Sequence, residues 1–272
     1  MDPKLRLRSF KHPMFGLIAV LVVISVASRF QAVAQTNEVP GYVAFRTAFK
    51  RAAFKPIFIT SQTASSGSPL EGPALVFLIS RVGNPPPPFL IGPFEPVAAF
   101  PFADKLDGYL IRGSSELNDR NISLVIIRSD GVLKDVQLVA GRKGDEGYYD
   151  EHFGWIRDLN GDAVPDLLIR EQFAKPSKDE SYDVYEERPL RQKTWDGNRF
   201  VNSKFQITAP IRSLTNENLG TFRLEQFRRW DSDPRESSAA IHSYEIWLRM
   251  YPGHSQRAAA QSRLDQLRRA GK

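Results

Sequence analysis

The chain has 272 residues and no cysteine, which excludes disulfides and cysteine-ligated metals. Its formal net charge is +6, but residues 1–34 carry most of that excess, and the other 238 residues hold 32 basic and 30 acidic side chains. So small an excess gives no reason to expect a nucleic-acid partner. A chain of this length can bury one sizeable core with an appendage, or two small domains.

The N-terminal segment has the order of a secretory signal peptide. Basic residues at positions 4 to 11 are followed by an uncharged apolar run from Phe15 to Ala27, and by small residues at Ala32 and Ala34. The run has 13 residues, fewer than the roughly 20 that a membrane-spanning helix needs. The sequence therefore predicts a cleaved signal over residues 1–34, an exported (periplasmic or extracellular) mature chain and no stable membrane span. An uncleaved anchor is the alternative.

A mixed segment is predicted over residues 35–70. Tyr42, Phe45 and Phe49 recur at helical spacing and indicate a short amphipathic helix that ends before Pro56. Further on, "PALVFLISRV" (73–82) is rich in Val, Leu, Ile and Phe and is interpreted as a buried strand. Four consecutive prolines follow, and they exclude both helix and sheet pairing, so we expect a stiff loop there.

Residues 71–208 are predicted to form a β domain. Asp130-Gly131 and Asp196-Gly197 each separate two alternating apolar runs, which is a strong local signal for a hairpin. Because consecutive strands joined by tight turns pair antiparallel, the sequence predicts an antiparallel, mostly meandering sheet.

The composition changes after Pro210 towards Arg, Glu, Ala, Leu and Gln. Residues 209–232 are interpreted as a linker with a short helix, and residues 233–272 as two helices joined by a short turn. Asp233-Pro234 is a favourable helix start, and Ser255 is a candidate cap for the second helix. The predicted fold class is α+β: an antiparallel β-rich domain with a C-terminal antiparallel helical hairpin.

The hairpin resembles a single tetratricopeptide-type unit, with small residues and Tyr on the first helix, Tyr251-Pro252 at the turn and Ala on the second helix. Such units bury their faces by stacking on neighbours, and about three are usually needed for a stable array. The apolar face around Trp247 must therefore pack on something else. We expect either the β domain or, through self-association or a protein partner, another chain.

The sequence "DLNGDAVPDLLIR" (158–170) carries a candidate metal site. Asp158, Asn160, Asp162 and Asp166 occupy loop positions one, three, five and nine, and the carbonyl of Val164 stands at position seven. Hard cations such as Ca²⁺ take six to eight oxygen ligands, and carboxylates offset their charge. The spacing predicts one Ca²⁺ site, and the alternative is a polar turn in which these side chains cap backbone amides without metal.

Residues 150–202 resemble the calcium-loop unit of FG-GAP and VCBS-like secreted β-propeller repeats. The likeness rests on Phe153-Gly154, on the Asp-x-Asn-Gly-Asp loop, on the strand "PDLLI" and on the hairpin "KTWDGNRFV". It departs at Ala163, where the family has Gly, and in a shorter spacer after Phe153-Gly154. An EF-hand is excluded because its position twelve would be Ile169 instead of Glu.

No nucleophile elbow, phosphate-binding Gly loop or His-Glu metal helix occurs in the sequence. No catalytic residue or organic cofactor is predicted. The sequence favours an exported, non-enzymatic protein whose calcium-stabilised β domain acts in binding. The alternative is a secreted hydrolase or carbohydrate-active enzyme using acids near Asp150, Glu151 and Asp166.

Overall fold

The computed structural model describes residues 39–83, 86–90, 92–114, 120–145, 148–176, 183–203, 206–231 and 237–270. The predicted signal segment and the Asp233-Pro234 helix start lie outside these residues. The predicted fold class is confirmed, because a large antiparallel sheet is combined with helices that include a C-terminal group.

The sheet contains ten strands, and six of them follow one another as a meander from β2 to β7. Strand β9 pairs with β7 and β10 pairs with β9, while β1 adds to β6 and β8 adds to β7. The strand bounds are β1 Ile57–Ile59, β2 Phe94–Ala103, β3 Leu106–Ser114, β4 Arg120–Arg128, β5 Leu133–Asp145, β6 Tyr148–Arg157, β7 Asp166–Pro176, β8 Asp183–Glu187, β9 Arg191–Trp195 and β10 Phe200–Asn202.

Five helices are described, two before the meander and three after it. They are α1 Pro40–Thr47, α2 Gly72–Val82, α3 Ala209–Trp230, α4 Ser237–Met250 and α5 Arg257–Ala270. None of the helices in the described ranges is both long enough and apolar enough to cross a membrane.

Both predicted Asp-Gly hairpins are confirmed. Gly131 has φ 83° in the turn between β4 and β5, and Gly197 has φ 98° between β9 and β10. In the second turn Asp196 Oδ1 accepts the backbone N–H groups of Asn198 (2.9 Å) and Arg199 (2.8 Å). These turns form where the sequence indicated because their chemistry is local.

The strand predicted over residues 73–82 is wrong, because this segment is the helix α2. Pro73 stands in its first turn, where a missing N–H costs nothing. Phe77 and Leu78 are buried, while Val76 remains 67% exposed. An apolar run without a clear period does not distinguish a strand from a helix. Here α1 supplies the packing partner, since Gly41 approaches Phe77 so closely that an added Cβ would lie 3.0 Å from it.

The sheet curves so that its concave face encloses an inner core. The two ends of the strand order meet there: the ring of Phe102 on β2 lies 5.0 Å from Trp195 on β9 and 5.6 Å from Phe200 on β10. The inner core consists of Ile59, Val97, Phe100, Phe102, Leu106, Leu110, Ile122, Leu124, Ile126, Val139, Ala140, Ile156, Leu167, Ile169 and Phe200.

Alternate residues of the same strands face outward and bind two separate helical layers. Tyr109 and Val125 pack under α1 and α2, whereas Trp155 and Leu168 pack under α3 to α5. A curved sheet with one concave core and two convex helical covers therefore positions every site described below.

The segment predicted as a linker with a short helix forms the 22-residue helix α3. It lies between the sheet and the hairpin α4–α5 and covers the apolar face around Trp247, whose indole N–H donates to the carbonyl of Gly220 at 2.7 Å. An added Cβ at Gly220 would lie 2.4 Å from His254, so this close approach requires glycine.

The structure also differs from the prediction that Ser255 caps the second helix of the hairpin. The hydroxyl of Ser255 donates to the Glu217 carboxylate on α3, and α5 begins only at Arg257. The N–H of Gln256 donates to Nδ1 of His254 at 3.0 Å instead. The carboxylate on the neighbouring helix offers Ser255 a charged acceptor that the sequence pattern does not reveal.

Candidate functional site

The predicted calcium loop joins two adjacent strands of the meander. β6 ends at Arg157, β7 begins at Asp166, and these two residues face each other in register. The loop is thus the connection of an antiparallel pair, and the strand pair fixes both of its ends.

The loop side chains turn back onto the loop backbone. Asp158 accepts the N–H groups of Gly161 (2.7 Å) and Ala163 (3.0 Å), one with each carboxylate oxygen. Asn160 Oδ1 accepts the N–H of Asp162 at 3.0 Å, and Asp162 Oδ1 accepts that of Val164 at 2.8 Å. The structure therefore brings the first three predicted side-chain ligands onto one tight bend.

The backbone of the bend adopts the conformation that glycine favours. Gly161 has φ 81° and Ala163 has φ 65°, so Ala163 takes up left-handed geometry despite its Cβ. That conformation costs a residue with a side chain roughly 1–2 kcal/mol. The hydrogen bond from the Ala163 N–H to Asp158 offsets part of this cost.

Asp166 is the buried member of the set, with 2% of its surface exposed. Its Oδ2 accepts the N–H of Leu159 at 2.9 Å. Burial is the main cause that raises the pKa of Asp166 to about 6; the negative charges of Asp162 and Asp158 act in the same direction, and the backbone hydrogen bonds oppose them. Val164, at position seven, is half-buried against the inner core.

The donor set fits a hard cation by its chemistry. It combines three carboxylates, one amide and a backbone carbonyl, and each carboxylate has about four lone-pair sites, so accepting one or two N–H groups leaves further sites for a metal. Within the described ranges, no basic side chain forms an ion pair with these three carboxylates. In the same ranges no three His, Cys, Asp or Glu side chains converge closely enough to hold a metal as they stand. Metal binding therefore requires rotation of loop side chains.

The acids of the enzymatic alternative are not brought together. Glu151 is 1% exposed and pairs with Arg223 at 2.7 Å, whereas the side chain of Asp150 is 46% exposed, beside Arg188 at 3.8 Å. The register places Glu151 opposite Gln172 and Arg157 opposite Asp166. Six residues of strand span roughly 20 Å. Glycosidase chemistry needs its two carboxyl groups no more than about 9.5 Å apart.

The sequence did not reveal that Glu151 lies in a buried polar network. Arg223 on α3 also donates to Gln172 Oε1 at 2.7 Å, and Ser61 donates to Glu151 at 3.2 Å. The side chains of Arg223 and Glu151 are almost entirely buried beneath the helical layer. One signal could have indicated this position: Glu151 alternates with Phe153 and Trp155 and must share their face of β6.

Comparison of this chain with protein-family models, with curated proteins and with solved structures gives no match.

Proposed function

We propose that this chain is an exported, non-enzymatic binding protein whose β domain is stabilised by one Ca²⁺ in the loop from Asp158 to Asp166. The main support for this proposal is the arrangement of side chains in the loop. Asp158, Asn160 and Asp162 share one tight bend, in which Ala163 takes up left-handed geometry. Asp166 follows at the start of β7. Without a cation, the mutual repulsion of these carboxylates and the burial of Asp166 oppose folding.

The non-enzymatic part of the proposal rests on the roles of the acids. Glu151 is neutralised by Arg223, and Asp150 lies on an exposed part of β6. Asp150 and Glu171 both contact Arg188, so the carboxylate beside Asp150 is paired with a cation. No observation favours the hydrolase as a second candidate function.

The export part of the proposal rests on residues 1–34, whose charge order and apolar length are typical of a signal peptide. Expression in a bacterial host, fractionation and N-terminal sequencing test it. We expect a mature chain that begins at Gln35 in the exported fraction. A chain that remains membrane-bound and keeps its N-terminus would contradict cleavage.

Thermal melting with excess Ca²⁺ or with a chelator tests the calcium site. Binding to the native state alone stabilises by about 2.7 kcal/mol at a hundredfold excess over Kd, which raises the Tm of a chain of this size by roughly 5–10 °C. Mg²⁺ should not substitute, because it requires a smaller octahedral shell.

Asp162→Asn and Asp196→Asn form a matched pair of variants. Both positions cap backbone amides, but only Asp162 belongs to the loop. We expect the calcium-dependent rise in Tm to be strongly reduced in the first variant and unchanged in the second. If the wild-type protein had the same Tm in Ca²⁺ and in chelator, the loop would be a polar turn without metal.

A further inference from the structure

A groove of about 400 Å³ lies where strands β9 and β10 meet the start of α3. Its polar lining consists of Arg191, Gln192, Asn202, Ser203 and Arg212. No acidic side chain contributes to this lining in the described residues. The groove is separate from the calcium loop.

Gln192 is the most informative residue of the groove. It is 8% exposed, and within the described structure its side-chain amide has no hydrogen-bond partner. Its amide atoms are not fully enclosed, so they open onto the groove. Because Gln192 lines the groove, a bound group can satisfy it there.

The N-terminus of α3 borders the same groove. This helix has 22 residues, Thr208 makes no side-chain capping bond, and no acidic residue stands in its first turn. Pro210 has no N–H, so Ala209 and Ile211 supply the free donors of this turn, and the macrodipole places partial positive charge there. Residues Ile207 and Arg212, which flank this turn, both line the groove.

Two guanidinium groups add positive charge. Arg191 is paired with Glu171, so its charge is already balanced. Arg212 is exposed and has no partner among the described side chains, although a cation in the first turn of a helix opposes the macrodipole. An anion in the groove would offset the charge of Arg212 and the partial positive charge at the start of α3, and it would accept a hydrogen bond from the amide of Gln192.

We propose that this groove binds the oxyanion group of a small molecule, a carboxylate or a phosphate, through Arg212, Gln192 and the first turn of α3. The oxygens of a carboxylate or a phosphate suit the forked donors of a guanidinium and the N–H groups of a helix start. The proposal is independent of the calcium loop, so its failure would leave the proposed function untouched.

Titration of the full mature protein with inorganic phosphate and with succinate, followed by calorimetry at constant ionic strength, tests the site. We expect saturable binding of at least one of the two, and the stronger one identifies the preferred oxyanion. Absence of saturable binding by both would overturn the proposal.

Variants locate the binding. Arg212→Gln removes one charge-assisted contact and should weaken binding about tenfold or more. Gln192→Glu keeps the shape of the side chain, repels an anion and should abolish binding. Arg249→Gln, at an exposed position on α4, makes the same change in net charge and should leave binding unchanged. Equal losses in Arg212→Gln and Arg249→Gln would show unspecific charge attraction and contradict the site.

Discussion

Arg223 on α3 donates to the carboxylate of Glu151 on β6 at 2.7 Å, with both side chains almost completely buried. This contact joins the helical layer to the convex face of the sheet. Breaking a buried ion pair leaves one charge without compensation, which typically costs about 3–5 kcal/mol. The pair therefore fixes how α3 sits on the sheet, whatever its net contribution to stability.

Glu151→Gln is expected to lower the free energy of unfolding by about 3–5 kcal/mol, because the positive charge of Arg223 stays buried. The double variant Glu151→Leu with Arg223→Met should recover most of that loss. Urea denaturation at neutral pH measures both. A loss below about 1 kcal/mol in the single variant would mean that water reaches Arg223.

Trp247→Ala is expected to cost about 3–5 kcal/mol, because Trp247 is 1% exposed and fills the space between α4 and α3. Val76→Ala, at a position that is 67% exposed, is the control and should change stability by less than about 0.5 kcal/mol. Chemical denaturation measures both. If Trp247→Ala abolished self-association or partner binding and left stability intact, the hairpin would be an interaction module and not a cover of α3.

Ala163→Gly is expected to stabilise the loop. The left-handed geometry at φ 65° costs alanine roughly 1–2 kcal/mol, and the greater freedom of glycine in the unfolded chain removes part of the gain, which leaves about 0.5–1 kcal/mol. Ala48→Gly, at an exposed position with φ −69°, has no strain to relieve and should be neutral or destabilising. Thermal melting in chelator compares the two. A loss of stability in Ala163→Gly would show that the loop backbone is unstrained.

His152 is expected to weaken the fold in mild acid. Burial lowers the pKa of His152, against the opposing effects of Glu171 and Asp150, while Arg191 and Arg188 lower it further. The native state thus favours neutral imidazole. The contribution of His152 to the free energy of unfolding is complete above its pKa in the unfolded chain, near 6.5. It is lost as the pH falls from there through the lower pKa of the folded state. Replacement by Gln should remove this part of the pH dependence.

Denaturation of wild type and His152→Gln at about pH 7 and about pH 5 measures the effect as a difference between the two proteins. That difference matters because Asp166 acts with the opposite sign: its raised pKa makes the metal-free loop more stable as the pH falls through about 6. If the difference in the free energy of unfolding between wild type and variant were the same at both pH values, His152 would be solvated in the native state.

Features that depend on neighbouring residues could be predicted from the amino-acid sequence. The turns at Asp130-Gly131 and Asp196-Gly197 formed as expected, because φ above zero and the Asp acceptor act within four residues. The tight bend from Asp158 to Val164 was likewise readable, since alternating Asp and Asn side chains reach their own loop amides. That this loop binds a metal ion remains a prediction.

Features that depend on residues far apart in the chain could not be predicted without the fold. Residues 73–82 became a helix because α1 covers them, although their apolar run fits a strand equally well. Arg223 and Glu151 are 72 residues apart in the chain, so no local pattern could pair them. The groove that Gln192 lines forms only where β9 and β10 meet the start of α3. Burial and charge pairing are set by which surfaces meet, and that depends on the whole fold.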